Sequence, residues 1–390
     1  MRIVRLANFV TPRSGGLRTA LAELGAGYAA AGHEPVLVIP GQADRDERTA
    51  QGRVITLAGP VVPLSGGYRV LLARRRLAGL LASLRPDRLE VSDRTTLRWT
   101  GRWARDHGVR AVMVSHESVA ALLGLPLAGS MGPAGWLARR VAGALNARTA
   151  RSYDEVVCTT RWAAAEFERL AVPNLRQVPL GVDLTAFSPG RRSPRLRRRY
   201  AAGEEVLLVH CGRLSVEKKP YRSLTALAGL RAAGVPAVLV VAGDGPLRRG
   251  LERRAARAGL PARFAGFLPE RAAVAALLAT ADVVIAPGPV ETFGLAALEA
   301  LACGTPVVVS AGSALPEVIG PAGAVVTGED FTAGVLSVLA RPAAQRRAAA
   351  RARAAQFGWP AAVSGFLAAH GLAAGGSAAA GGDVAAAVRR

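Results

Sequence analysis

Short apolar runs alternate with longer helical patterns along almost the whole chain, and this alternation constrains the fold more than any other feature. The strand candidates in the first half are residues 3–7, 35–39, 54–57, 89–91, 111–115 and 155–158. Those in the second half are residues 206–211, 237–242, 262–265, 283–286, 306–309 and 324–326. Helical patterns lie between them, for example at 18–31, 68–84 and 247–258. The alternation predicts parallel sheets joined by right-handed crossovers.

One interruption divides the chain. Residues 179–200 are rich in Pro, Gly and Arg and show little apolar periodicity. A chain of 390 residues with 51% hydrophobic residues is long enough for two domains with sizeable cores. We therefore expect an α/β protein whose two Rossmann-like parallel-sheet domains, residues 1–183 and 184–358, face a central cleft. Residues 359–370 are expected to form a C-terminal helix, with a return to the first domain left open, and the Ala/Gly-rich residues 371–390 are expected to be disordered.

Charge and cysteine content narrow the class of partner. The net charge of +22 indicates an anionic partner, namely a phosphorylated ligand, an acidic membrane surface or nucleic acid, although scattered arginines on a solvated surface account for part of it. Aromatic residues make up only 5% and no basic-aromatic motif is present, so nucleic acid is not expected.

The three cysteines are far apart and form no C-x-x-C pair, which argues against a zinc site or a disulfide framework. The strand-like start and the lack of a long apolar run favour a cytoplasmic protein that at most rests on a membrane.

Ligands of open α/β sheets bind beyond the carboxyl ends of the strands, so the loops there are the candidate sites. Gly15 and Gly16 follow the first strand and begin a helix, where a backbone can approach a ligand closely and an anion is favoured. The same glycines also fit an ordinary strand-to-helix turn. His116 follows the strand at 111–115 and is expected either to face the cleft or to bond to its own loop.

The loop after the strand at 206–211 contains the only lysines of the chain, Lys218 and Lys219, side by side before Pro220. Proline suits the first turn of a helix. Together with Arg213, Lys218 provides a forked cation and a compact cation between a strand and a helix, which suits a diphosphate. A surface loop with ordinary charges is the alternative.

The segment 287–306, PGPVETFGLAALEALACGTP, follows another strand. Glu291 lies in its loop and Glu299 lies eight residues later in the predicted helix. The backbone N–H groups of Phe293, Gly294 and Leu295 would be free at the start of that helix and would face the cleft. Two carboxylates that flank such a helix start can bind hydroxyl groups on either side of a phosphate.

The motifs GRLSVEKKP, GDGP at 243–246, PGPVETFGLAALEALACGTPVV and GVD at 181–183 resemble those of retaining GT-B glycosyltransferases of family 4, and the resemblance extends to about residue 367. The segments NFVTPRSGGLRTAL and EVSDRTTLR are most similar to those of actinobacterial mannosyltransferases that act on phosphatidylinositol mannosides. This resemblance implies a nucleotide-sugar donor, most simply GDP-mannose, a lipid-linked or glycan acceptor, and neither a cofactor nor a catalytic metal.

The resemblance also implies a role for each candidate residue. Arg213 and Lys218 neutralise the donor diphosphate, Glu299 binds the ribose hydroxyls, and Glu291 and His116 contact the sugar from its two sides. The implied catalytic residues are His116, Arg213, Lys218 and Glu291. The implied donor-binding residues are Gly15, Gly16, Arg213, Lys218, Phe267, Leu268, Glu291, Phe293, Gly294, Leu295 and Glu299. In retaining members the leaving diphosphate helps to deprotonate the acceptor hydroxyl, and Lys219 has no role in the family pattern.

Other functions remain open at this point. They are a transferase with a UDP-sugar donor and a soluble acceptor, and a sugar-nucleotide epimerase of the same architecture. A dinucleotide oxidoreductase is not expected, because the first loop lacks the G-x-G-x-x-G spacing.

A basic segment of the first domain suggests contact with a membrane. In residues 67–86 the apolar residues Val70, Leu77, Leu81 and Leu84 share one face of a predicted helix. Arg74, Arg75 and Arg76 lie on the remaining surface and are expected to dock on an anionic bilayer, at the inner face of the plasma membrane. The alternative is a core-packing helix with a solvated arginine face.

Overall fold

The computed structural model describes residues 1–10, 15–62, 67–116 and 133–373, and in these residues the strands form two sheets. The first sheet has the order β3-β4-β2-β1-β5-β6-β7-β8. Its strands are β1 Arg2–Leu6, β2 Glu34–Gly41, β3 Arg45–Thr49, β4 Gly52–Ala58, β5 Arg88–Val91, β6 Arg110–Ser115, β7 Glu155–Cys158 and β8 Leu175–Gln177. Neighbouring strands are parallel except for β3, which pairs antiparallel with β4 at the edge.

The second sheet is parallel throughout and has the order β11-β10-β9-β12-β13-β14. Its strands are β9 Val206–Cys211, β10 Ala237–Ala242, β11 Ala262–Gly266, β12 Val283–Ala286, β13 Val307–Ser310 and β14 Ala324–Val326. β9 pairs with both β10 and β12, which lie on its two sides, so the order of the chain reverses at this strand. A crevice that can bind a ligand is expected at the carboxyl end of such a reversal point.

Helices connect the strands in both domains. They are α1 Gly16–Ala30, α2 Arg74–Leu84, α3 Trp99–Asp106, α4 Pro133–Ala150, α5 Arg161–Glu168, α6 Pro194–Tyr200, α7 Tyr221–Ala232, α8 Arg248–Arg257, α9 Arg271–Thr280, α10 Leu295–Ala302, α11 Leu315–Ile319, α12 Thr332–Leu339, α13 Ala343–Ala354 and α14 Trp359–Ala369. Apolar side chains on both faces of the sheets are buried against these helices. The prediction of two parallel-sheet α/β domains is therefore confirmed.

All twelve predicted strands are present, with bounds that differ by two residues at most. Two strands were not predicted. β3 has the sequence RDERT and every one of its residues is exposed, so it lacks the apolar alternation by which strands are recognised. β8 has only three residues, two of which are exposed.

The last helix packs against the first domain. Gly27 of α1 lies so close to α14 that a Cβ there would be 2.2 Å from the Val363 side chain. Next to the end of α14, the His370 ring lies 3.3 Å from the buried carboxylate of Glu90. The limits of the two domains remain predictions, and most of the tail predicted to be disordered, residues 374–390, lies outside the described residues.

The basic helix of the first domain differs from its prediction. α2 begins only at Arg74, so residues 68–73 are not helical. Val70, Leu77, Leu81 and Leu84 are all buried, with exposed fractions of 6%, 2%, 0% and 4%. The prediction that this apolar stripe lies in a bilayer is therefore wrong, because the three leucines pack into the core of the protein's own first sheet.

The arginines of α2 are nevertheless exposed. Arg76 pairs with the carboxylate of Asp44, and the Arg74 guanidinium lies 5.1 Å from the ring centre of Trp99. An electrostatic contact of Arg74, Arg75 and Arg76 with an anionic surface stays a prediction. No helix in the described part of the chain is long and apolar enough to cross a bilayer.

Candidate active site

Lys218 and Glu291 meet at the carboxyl edge of the second sheet. β9 and β12 are adjacent and parallel, so the loops that follow them leave the sheet side by side. Lys218 ends a short 3₁₀ turn, and its ammonium donates a hydrogen bond of 2.5 Å to Glu291 Oε1. Both side chains are about one quarter exposed, so the pair is accessible at the crevice rather than enclosed in the core.

Arg213 extends from the same loop toward the first domain. Its Nη1 donates to the Tyr68 hydroxyl at 2.6 Å, and its guanidinium carbon lies 5.1 Å from the centre of the Tyr68 ring. Its Nη2 lies 3.4 Å from Glu217 Oε1. The forked cation is thus held across the cleft between the two domains, and it comes from the same loop as the compact cation of Lys218.

A glycine contact fixes the loop that carries Arg213. Gly243 has a φ of 146°, and a Cβ there would lie 1.8 Å from the carbonyl oxygen of Gly212. The Gly243 amide also donates to the Gly266 carbonyl at 2.8 Å. A larger residue at 243 would displace the loop, which gives the GDGP motif a physical reason.

The helix α10 starts beside Glu291. Its N-cap residue, Gly294, has a φ of 79°, which favours glycine, and a Cβ there would lie 2.2 Å from the Leu315 side chain. The side chains of Phe293 and Leu295 are 4% and 6% exposed and belong to the core. Of these three predicted donor-binding residues, the backbone amides rather than the side chains are therefore suited to contact an anion.

Glu299 lies one turn further along α10. Its side chain is 15% exposed, and its Oε1 lies 3.7 Å from Arg271 Nη2. Burial raises the pKa of Glu299 to about 7, although Arg271 opposes this shift. Arg271 Nη1 also lies 3.7 Å from Glu23 Oε1 on α1, so Arg271 links Glu299 to the first domain.

The sequence does not single out Arg271. It stands in the first turn of α9 after an ordinary turn sequence, and no motif distinguishes it from the many other arginines. Only the fold brings it between two carboxylates that are far apart in the chain.

His116 follows β6 and faces the loop that contains Glu291. Its carbonyl oxygen accepts a hydrogen bond of 2.6 Å from Thr292 Oγ1, and the Thr292 carbonyl accepts one of 2.9 Å from Thr160 Oγ1. Desolvation lowers the pKa of the half-buried His116 to about 4, so its imidazole is neutral at physiological pH. Thr160 and Thr292, which could not be predicted from the sequence, join the two domains through the backbone of His116. The neighbouring Glu117 lies outside the described residues.

Gly15 and Gly16 lie on the other side of the cleft at the start of α1. A Cβ at Gly16 would be 3.8 Å from the Leu295 side chain, so the starts of α1 and α10 approach one another. Gly15 has open space around it. Residues 11–14 of the same loop lie outside the described residues.

Phe267 and Leu268 follow β11, two strands away from β9. Phe267 is 41% exposed, whereas Leu268 is partly buried against the core. The predicted base-binding segment is thus at the same edge of the sheet as Lys218, but lateral to it.

Lys219 lies outside this constellation. Its backbone is left-handed, with a φ of 44°, and its ammonium donates to Glu329 Oε1 at 3.2 Å. Glu329 also accepts from the Tyr221 hydroxyl at 2.7 Å and pairs with Arg222. Arg222 in turn donates to the Pro287 carbonyl at 3.0 Å, at the start of the loop that leads to Glu291. Lys219 therefore belongs to a network that, through Arg222, contacts the start of the loop that carries Glu291.

The architecture and the cleft define a class of protein. Two parallel-sheet α/β domains face each other, and a forked cation, a compact cation and two carboxylates gather at the carboxyl edge of one of them, which is the arrangement of a GT-B glycosyltransferase. Among the described residues, no group of three His, Cys, Asp or Glu side chains is placed to hold a metal ion.

Comparisons with known proteins support this class. The model "Glycosyl transferase 4-like domain" matches residues 15–183, and "Glycosyl transferases group 1" matches residues 193–355. A GDP-mannose-dependent alpha-(1-6)-phosphatidylinositol dimannoside mannosyltransferase of Mycobacterium tuberculosis is 51% identical over 93% of this chain and 94% of its own. A related phosphatidylinositol monomannoside mannosyltransferase of Mycolicibacterium smegmatis is 29% identical, over 88% of this chain and 90% of its own. Sucrose-phosphate synthase from Thermosynechococcus elongatus has the same fold, with a TM-score of 0.73 at 21% identity over 93% of this chain and 96% of its own.

The chain belongs to the family 4 glycosyltransferases of the GT-B fold. The family predicted from the sequence motifs is thereby confirmed.

Proposed function

We propose that this protein transfers a mannosyl group from GDP-mannose to a phosphatidylinositol mannoside, with retention of the anomeric configuration, at the cytoplasmic face of the plasma membrane. The observation that carries the proposal is the placement of Arg213 and Lys218 with Glu291 at the crevice of a chain that is 51% identical to a mannosyltransferase of this kind. In this proposal residues 1–183 form the acceptor side and residues 184–358 the donor side.

The geometry supports a division of labour for the donor. Arg213 and Lys218 bind the diphosphate, and their charge stabilises the leaving GDP as negative charge develops on it. The amides at the start of α10 contribute partial positive charge in the same place. No cofactor or metal ion is needed in this scheme, because two cations and a helix start provide the electrostatic stabilisation.

The carboxylates are suited to the hydroxyl groups of the donor. Glu299 accepts hydrogen bonds from the ribose, and Glu291 holds a sugar hydroxyl while it stays close to Lys218. The neutral His116 contacts the sugar from the opposite domain. Phe267 and Leu268 hold the base through their backbone, since one side chain is exposed and the other is turned toward the core.

The reaction exchanges two bonds at the anomeric carbon. The bond from that carbon to the diphosphate oxygen breaks, and a bond to the acceptor oxygen forms on the same face. The acceptor proton passes to the departing diphosphate, so GDP leaves with the electron pair of the broken bond. The protein's residues orient the reactants and stabilise charge, and none of them forms a covalent intermediate.

A screen of donors and acceptors tests this function. Purified protein is incubated with GDP-mannose, GDP-glucose, UDP-glucose or UDP-galactose, each with and without a phosphatidylinositol dimannoside in mixed micelles, and release of the nucleotide is followed. We expect GDP release that requires both GDP-mannose and the lipid, and that continues in the presence of EDTA. Turnover with a UDP-sugar and a soluble acceptor would contradict the proposal. Acceptor-independent release of nucleotide would instead support the epimerase.

A further inference from the structure

Three exposed apolar side chains cluster on α4, the helix between β6 and β7. Trp136, Leu137 and Val141 are 53%, 56% and 46% exposed, which is unusual for side chains of this size. Among the side chains of this helix that the structure describes, the buried ones are Ala142, Asn146, Thr149 and Ala150, and they lie on its other face. At about 100° per residue the two sets point in opposite directions, so α4 shows the solvent an apolar strip rather than scattered residues.

Positive charge accompanies this strip. The Arg140 guanidinium lies 4.8 Å from the ring centre of Trp136. Arg140 and Arg148 are exposed on the same face of the helix. The 18 residues of α4 include no Asp or Glu, so nothing within the helix offsets these charges. Trp beside Arg is a combination typical of the boundary between lipid headgroups and acyl chains.

The strip lies at the end of the first sheet where the acceptor is expected. β6 ends at its carboxyl edge, next to His116, and β7 begins at the opposite edge. Since α4 connects the two parallel strands, it starts on the side of the carboxyl edge and runs back from it. Trp136 and Leu137 are the fourth and fifth residues of the helix, so they lie toward the cleft end of the domain.

We propose that the exposed face of α4 docks on an anionic phospholipid bilayer, with Trp136, Leu137 and Val141 at the headgroup boundary and Arg140 and Arg148 against lipid phosphates. This inference rests on the proposed function, because a lipid acceptor must reach the cleft from a membrane surface. It replaces the immersion predicted for α2, because Leu77, Leu81 and Leu84 of that helix are buried. The charge of the strip selects an anionic surface over a neutral one.

Vesicle binding tests the proposal without any turnover. The full chain is mixed with vesicles of phosphatidylglycerol and phosphatidylcholine, or of phosphatidylcholine alone, and the bound fraction is measured by flotation. We expect the parent protein to bind the anionic vesicles. The triple variant Trp136→Ser, Leu137→Ser, Val141→Ser should bind them at least about tenfold more weakly. A matched control at an exposed apolar side chain of the second domain, Val325→Ser, should bind them as the parent does. The affinity for GDP should be unchanged in both variants, which shows that they are folded.

A second variant keeps the apolar character of the strip and reports its depth. Brominated phosphatidylcholine in the anionic vesicles should quench the tryptophan fluorescence of the parent more than that of Trp136→Phe. Equal quenching of the two proteins would overturn the proposal, as would equal vesicle binding of the parent and the α4 triple variant.

The same experiments distinguish two alternatives in which the strip on α4 is covered by protein rather than by lipid. If a second copy of the chain covers α4, the triple variant loses a dimer in light scattering while its vesicle binding equals that of the parent. If residues 117–132 of the same chain cover it, the variant unfolds at a lower temperature, again with unchanged vesicle binding. Either result overturns the membrane assignment. A protein that binds vesicles through α4 but fails the donor screen would leave this inference standing and reject the proposed function.

Discussion

Lys218 and Lys219 are neighbours in the chain and identical in chemistry, but their side chains point to opposite sides of one loop. Lys218 points into the cleft and donates to Glu291, which follows β12. Lys219 adopts a left-handed backbone and turns away to Glu329, beyond β14. The carboxylate that each ammonium contacts therefore distinguishes Lys218, which we propose binds the donor diphosphate, from Lys219, which is part of a supporting network.

The difference also explains why two lysines stand together. A reversal of the backbone at Lys219, with its φ of 44°, lets adjacent residues point to different partners. The Glu329 network then holds the start of α7 and the first residue of the Glu291 loop through Arg222. Support on one side of the loop keeps the cation on the other side in place.

The largest expected effect is on turnover. Lys218→Ala should reduce kcat with saturating GDP-mannose by on the order of 10²–10³, because the charge on the leaving diphosphate is greatest in the transition state. Lys219→Ala, the matched control, should change kcat by less than about threefold. Equal losses in the two variants, measured by GDP release, would remove the distinction between the two sides of the loop.

The next effect is on donor affinity. Glu299→Ala should weaken binding of GDP by about 1–3 kcal/mol, since it leaves the ribose hydroxyls without their acceptor. Glu329→Ala removes a carboxylate from the Lys219 side, which does not contact the donor in this account, and should weaken GDP binding less than Glu299→Ala does. Titration calorimetry measures the dissociation constant of GDP for both variants. An unaltered dissociation constant in folded Glu299→Ala would refute the ribose assignment.

A smaller effect follows from the pKa of Glu299, which burial raises to about 7. The ionised carboxylate accepts from ribose, so GDP affinity should increase from pH 6 to pH 8, by at most about tenfold per pH unit below the pKa. The same shift means that the folded protein holds this proton more firmly than the unfolded chain does. The raised pKa of Glu299 therefore stabilises the folded protein fully below the ordinary pKa of 4.5, and this stabilisation is lost as the pH rises through about 7. Glu299→Gln should flatten the pH dependence of affinity; a profile like that of the parent would show that another group titrates.

The smallest effect is on stability. The ion pair of Lys219 with Glu329 is partly exposed to solvent, so Lys219→Ala should lower the free energy of unfolding by less than about 1 kcal/mol. Urea unfolding measures this value. A loss of several kcal/mol would mean that Lys219 is part of the core support rather than a peripheral member of the network.

Much of the fold could be predicted because burial leaves a pattern in the sequence. The strands that were found are apolar runs covered by helices, and β10 for example is buried at all six residues. The two strands that were missed, β3 and β8, are largely exposed, so no such pattern marks them. The end of α2 was found but its start was not, since Val70 and Leu71 are buried without being helical.

The candidate site shows the same limit. Lys218, Glu291 and Glu299 could be predicted because they stand in motifs that resemble those of the family. Arg271 and Thr292 were missed because their importance depends on partners in the other domain, which only the fold brings close. The apolar face of α2 was misjudged for a related reason, because periodicity shows that a helix has an apolar face but not what covers that face.

Hydrogen–deuterium exchange with and without GDP-mannose tests the central assignment most directly, because it locates the donor along the chain. The amides of residues 212–218 and 293–299 should exchange more slowly when the donor is present, since the loop of Arg213 and Lys218 and the start of α10 bind it. Residues 326–332, around Glu329, should exchange at an unchanged rate. Protection that is absent from 212–218 and 293–299, or that is as strong around Glu329, would contradict the assignment of the Lys218 side of the loop as the donor site.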